Sequence, residues 1–187
     1  MLDNSTSRYS TATIALHWLM AVLLAAVYAC IELRGLFPKG SDPREAMKAL
    51  HFMLGLSVLL LVLPRLTYRL SGPKAVIIPE PPAWQQAAAR FAHLFLYVLM
   101  LIMPILGWLT LSAAGKPIPF FGLDLPALLT QDKNLAELFK GIHQTIGEVG
   151  YYVIGLHVLA VLFHHYVQRD NTLSRMLWRA HKPATTG

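Results

Sequence analysis

Four apolar runs, each long enough to cross a bilayer, decide what this chain can fold into. They cover about residues 14–33, 46–63, 91–111 and 138–167. A spanning helix needs about 20 mostly apolar residues. Hydrocarbon offers no partner to an unpaired backbone group, so each run is expected as a helix. The expectation is an all-α membrane protein, with residues 1–187 forming one four-helix transmembrane bundle. Composition agrees, with 55% hydrophobic and only 14% charged residues, where a soluble domain carries roughly a quarter charged.

The connections read as turns. Ser10 and Thr11 offer N-caps before the first run. The second run is expected to end at Pro64-Arg65, and the proline-rich stretch after Ser71 cannot sustain a helix interior. Pro104 falls inside the third run, where a membrane helix tolerates it as a kink. A polar loop with a short apolar piece at 123–129 leads to the fourth run, and the basic tail 169–182 is expected at the membrane surface.

The net charge of +6 comes from Lys and Arg beside the apolar runs, which suits lipid headgroups and not nucleic acid. Four spans put both termini on one side. That side carries Arg8, Arg65, Arg69, Lys74, Arg90, Arg169, Arg175, Arg179 and Lys182. The other carries Arg34, Lys39, Arg44, Lys48, Lys116, Lys133 and Lys140. The positive-inside rule favours cytoplasmic termini by this small margin. Cys30 is the only cysteine and no C-x-x-C-H occurs, which excludes covalent c-type haem. The N-terminus lacks a basic n-region and an A-x-A site, so the first run is expected to be retained.

Of eight histidines, seven lie in or at the ends of the runs: His17, His51, His93, His143, His157, His164 and His165. Ionisable side chains in a bilayer are costly and mark function. Interhelical hydrogen bonding is the alternative for any one of them. For seven it is strained, with almost no intramembrane Asp or Glu to pair with. In the fourth run His143, Gly147, Gly150, Ile154, His157, Val161 and His164 step by four and three, so they share one helix face. His143 and His157 lie roughly 21 Å apart along the axis at 1.5 Å per residue. One metal ion cannot use both ligands; two stacked cofactors can. This spread and the lack of acids also weigh against a metal transporter.

Depth then selects partners. His17 matches His157 on the terminal side, and His51 matches His143 on the other. Gly55 and Gly147, one turn after His51 and His143, would leave room for a flat macrocycle, or would let helices pack closely. Two imidazoles on one iron make a six-coordinate haem that moves single electrons and leaves no open position. His93 opens the third run on the terminal side and competes for that iron. His164, with Arg8, His93 and His165, could line a quinone headgroup pocket, or else meet solvent and haem propionates. His181 is expected to be solvated.

The motifs S-x-x-x-x-x-L-H-W at 10–18, E-x-R-G-x-F-P at 32–38, H-x-x-x-G at 51–55, G-Y-Y-V-I-G-L-H at 150–157 and H-H-Y-x-x-x-D-N-T-L at 164–173 span nearly the whole chain. Together they resemble the bacterial cytochrome b561 family. The resemblance implies two non-covalent b haems on His17, His51, His143 and His157. It further implies electron transfer from periplasmic superoxide to ubiquinone in the inner membrane, a superoxide:ubiquinone oxidoreductase. The competing expectation is a dihaem anchor subunit that serves a soluble dehydrogenase or hydrogenase partner. The oligomeric state is not legible in the sequence.

Overall fold

The computed structural model describes residues 9–72 and 75–178. Arg8, Lys74, Arg179, His181 and Lys182 lie outside the described residues. Four long helices dominate: α1 (Thr11–Leu33), α2 (Asp42–Ser71), α3 (Ala83–Ala113) and α4 (Lys133–Phe163). All four are long and apolar enough to cross a membrane. A 30-residue helix is roughly 45 Å long, against about 30 Å of hydrocarbon, so their ends reach the headgroups.

Local chemistry sets the starts. Ser10 caps α1, its Oγ accepting the Thr13 N–H at 3.2 Å, while Thr11 is already helical. Asp132 caps α4, its Oδ1 accepting the N–H groups of Asn134 and Leu135 at 2.8 and 3.1 Å. Pro43, Asp42 and Glu45 fill the first turn of α2, where acids suit the helix dipole. The helices outrun the apolar segments. In particular, α2 does not stop at Pro64-Arg65 but continues to Ser71. Neighbouring helices and local adjustment satisfy the carbonyl that a membrane proline leaves free. The extension puts Arg65 and Arg69 on a helix, not in a loop. α3 is likewise continuous through Pro104.

α1 packs along α2, α3 along α4, and α2 against α3. Met20, Val58, Val62 and Met100 form the buried centre where α1, α2 and α3 meet. Outward side chains such as Val22, Leu60, Leu156 and Leu159 are well exposed, as lipid-facing residues should be. Between α3 and α4, a hairpin of β1 (Pro119–Phe120) and β2 (Leu123–Asp124) forms within the loop expected there. Its turn residues Phe121 and Gly122 have φ of 46° and 88°, the positive values that a tight two-residue hairpin requires. Ile118, Phe120 and Leu125 fold onto Leu56 and Leu111 and close that end of the bundle.

The other end is closed by the chain's return. After α4 a π turn, His164–Gln168, leads to Arg169 in the left-handed region at φ 55°. Asn171 then clamps the α2–α3 connection. Its Oδ1 accepts the Ile78 N–H at 2.9 Å, and its Nδ2 donates to the Val76 carbonyl at 3.1 Å. Trp18 Nε1 donates to the Met176 carbonyl at 2.7 Å. The tail is therefore tied into the bundle as far as it is described.

Candidate functional site

The histidines gather into two clusters along α4. Toward the hairpin end, His51 of α2 faces His143 of α4, with ring centroids 6.1 Å apart. His51 Nδ1 lies 3.0 Å from the Val27 carbonyl of α1. A carbonyl only accepts, so Nδ1 carries the proton and Nε2 keeps its lone pair. His143 Nδ1 is buried without a hydrogen bond of normal geometry, beside the backbone of Met103. A small cavity lies between these rings, with Gly55, Gly107 and Trp108 in its wall. A Cβ at Gly55 would meet nothing within 4 Å, and at Gly107 it would meet the His143 ring at 3.5 Å.

Toward the terminal end, His17 of α1 and His93 of α3 both face His157 of α4. The centroid distances are 6.4 Å for His17 and 5.7 Å for His93. Arg65 of α2 donates from Nη2 to His17 Nδ1 at 2.9 Å. His93 thus stands slightly nearer His157 than His17 does, so distance alone does not single out His17. Among the described residues, no three His, Cys, Asp or Glu side chains are placed to hold one metal ion. The arrangement is one of facing pairs.

Between the clusters stands Tyr28, which the sequence did not single out. Its hydroxyl donates to the Gly147 carbonyl at 3.0 Å. A Cβ on Gly150 would collide with the Tyr28 hydroxyl oxygen. Gly150 is midway between His143 and His157, so the glycine stripe lets α1 reach α4 there. Gly147 likewise faces Met103, where a Cβ would meet Cε at 3.3 Å. Gly55 keeps open space beside its histidine; Gly147 serves close packing instead.

Residues 8–179 match the prokaryotic cytochrome b561 family. The chain belongs to that family. It is 41% identical over 175 residues to "Cytochrome b561 homolog 1" of Escherichia coli (strain K12), covering 92% of this chain and 98% of that protein. It is 37% identical over 170 residues to "Probable superoxide oxidase CybB" of Yersinia pestis, covering 91% and 96%. A second Escherichia coli (strain K12) relative, "Cytochrome b561 homolog 2", is 29% identical over 178 residues, 95% of each chain.

Membership makes this an integral membrane electron-transport protein that binds b-type haem, and its residues fit that group. Two imidazoles bound to one metal through nitrogens at about 2 Å place their centroids about 6 Å apart. The His51–His143, His17–His157 and His93–His157 spacings all agree. At His51 the Nδ1–H to carbonyl contact is the outer contact that orients a metal-bound imidazole. At His17 the guanidinium occupies Nδ1, which leaves the proton on Nε2. That nitrogen becomes a ligand only when Arg65 moves to another acceptor.

The remaining expected residues of this cytochrome divide. The Nδ1 of His164 meets Asp170 Oδ2 at 2.5 Å, and the Asp170 side chain is 1% exposed. Arg8 lies outside the described residues. His165 packs its ring on Tyr166 at 4.7 Å. In the α1–α2 loop, Arg44 donates to the carbonyls of Arg34 and Phe37 at 3.0 and 2.8 Å. Lys48 pairs with Glu45 at 2.6 Å, and Glu32 accepts from Tyr151 at 2.6 Å. Asp170 and Arg65 are the functional candidates that the sequence reading passed over. The acid of D-N-T-L was visible; its return to His164 depends on the left-handed Arg169.

Proposed function

We propose that this cytochrome carries electrons from superoxide to ubiquinone across a bacterial inner membrane, with two b haems, one on His17 and His157 and one on His51 and His143. The carrying observation is a facing imidazole pair at each end of α4, at 6.1 and 6.4 Å. Haem would supply one-electron transfer when bound, and two imidazoles on its iron would leave no open position for oxygen chemistry. His17 is preferred to His93 as the fourth ligand by its depth match with His157. The similarity to a relative named a probable superoxide oxidase supports the choice of donor.

The balance is simple. Two superoxide anions each give up one electron and leave as dioxygen; ubiquinone takes two electrons and two protons. With both termini cytoplasmic, the α1–α2 loop meets superoxide on the periplasmic side, where Arg34, Lys39 and Arg44 attract an anion. His164, His93 and Arg8 belong to the proposed quinone end, where headgroup carbonyls need donors and reduction needs protons. His164 has the strongest claim, because Asp170 already orients it.

The test is a purified single chain, its haem counted and extracted with acid acetone, then mixed with ubiquinone and enzymatically generated superoxide. Two extractable haems and ubiquinol formation that superoxide dismutase abolishes are expected. One haem per chain would overturn the dihaem reading. Ubiquinone reduction that appears only with an added dehydrogenase or hydrogenase subunit would make the chain a membrane anchor instead.

A further inference from the structure

Among the described residues, Arg65 is a cation inside a membrane bundle with no anion paired to it. His17 of α1 and Tyr97 of α3 lie against it, and neither is acidic. Its Nη2 donates to His17 Nδ1 at 2.9 Å. Its Cζ lies 5.7 Å from the Tyr97 ring centroid. Its Nε is buried without a hydrogen bond. Among the described residues no ion pair includes it, and Asp170, a buried acid at this end, is engaged by His164 and by the Thr172 N–H. A charge held this way in low dielectric is costly unless an anion joins it.

The guanidinium is also in the wrong place for the histidine it touches. While it donates to Nδ1, His17 keeps its proton on Nε2 and cannot bind metal through that atom. Arg65 must therefore release His17 when His17 becomes a ligand, and it needs an acceptor at the same depth. Two further cations lie one turn and more toward the surface. Arg69 and Arg175 stack on Tyr9, with Cζ 5.0 and 5.4 Å from its centroid. Arg175 donates to the Ala75 carbonyl, yet its Nε also is buried and unpaired. Among the described residues no carboxylate at this end pairs with Arg65, and haem carries two.

We propose that Arg65 is a carboxylate-binding residue: its guanidinium leaves His17 Nδ1 and takes a propionate of the haem held by His17 and His157. The inference rests on the ligand pairing proposed above. A guanidinium binds a carboxylate through paired N–H donors, which a lysine cannot reproduce. A positive charge beside haem also favours the reduced form, so the residue should set the potential of that one haem.

The experiment is a redox titration of both haems in holoprotein, with the rate of haem transfer to apomyoglobin, for wild type, Arg65→Gln and Arg65→Lys. Arg65→Gln should move one midpoint to a more negative potential and leave the other in place. The same haem should depart roughly ten- to a hundredfold faster, as expected for loss of a charge-assisted hydrogen bond. Arg65→Lys should keep a midpoint near wild type and still release that haem faster. Unchanged midpoints with wild-type release, or equal shifts of both haems, would overturn the proposal. Should Arg65→Gln not accumulate folded, Arg65→Lys decides alone, with wild-type release overturning it. His17→Ala assigns the affected midpoint; if that variant kept both haems, the ligand pairing would fail and not the carboxylate site.

Discussion

His164 Nδ1 lies 2.5 Å from Asp170 Oδ2 because the chain doubles back within six residues. The π turn widens the last coil of α4, Arg169 adopts a left-handed φ, and the Asp170 N–H returns to the His164 carbonyl at 3.2 Å. An ionised carboxylate only accepts, so His164 donates through Nδ1. Its Nε2 remains as the nitrogen able to exchange a proton with a quinone headgroup.

The pair carries a pH signature. Burial pushes the Asp170 carboxyl up, but hydrogen bonds from His164 and Thr172 outweigh it and hold the group below its ordinary range. A carboxylate depressed on folding stabilises above its unfolded value, about 3.9. That contribution is lost as pH falls through the folded value. Asp170→Asn should therefore lower the thermal midpoint of detergent-solubilised protein at pH 7, and the gap should close below about pH 4. A gap of the same size at pH 3 would assign the loss to packing instead.

Changing His164 to alanine should spare both haems and their reduction by superoxide, yet slow reoxidation by ubiquinone. A positioned proton donor contributes about a hundredfold or more. His165, about 100° further round the helix, should matter less. Stopped-flow absorbance separates the two half-reactions. A His164 variant that reoxidises normally, or that has lost a haem, would remove His164 from the quinone end.

The four helices were legible because lipid leaves the chain no alternative, and the shared α4 face was legible because helical periodicity is rigid. Helix ends were not. Pro64 reads as a stop in water, whereas α2 passes it by two turns in the bundle. Cross-bundle partners were also hidden. Tyr28 finds Gly147, and Arg65 finds His17, only through the rotation of each helix about its own axis, which spacing does not reveal. His93 was rightly set on the terminal side, yet its approach to His157, closer than that of His17, needed coordinates.

The ligand pairs predict which haem each histidine holds. His51→Ala and His143→Ala should remove the same haem, and His17→Ala and His157→Ala the other, since each breaks one axial bond. Low-temperature difference spectra of the four variants distinguish the sites. His93→Ala should keep both haems. If it removed one while His17→Ala did not, the 5.7 Å neighbour of His157 would be the ligand.

Superoxide capture should depend on salt, and unequally on the loop cations. The Debye length shrinks from about 10 Å at 0.1 M to about 3 Å at 1 M, so added salt should slow the wild-type second-order rate. Among the described residues Lys39 shows no ion pair, whereas Lys48 is already matched by Glu45 at 2.6 Å. Lys39→Glu should thus slow capture at low salt and flatten the dependence more than Lys48→Glu does. Arg44 holds two loop carbonyls, so its replacement should lower loop order as well as rate, and it is the poorer probe of attraction. Pulse radiolysis across ionic strengths measures this. A wild-type rate indifferent to salt would remove electrostatic steering and strengthen the case for a protein partner as electron donor.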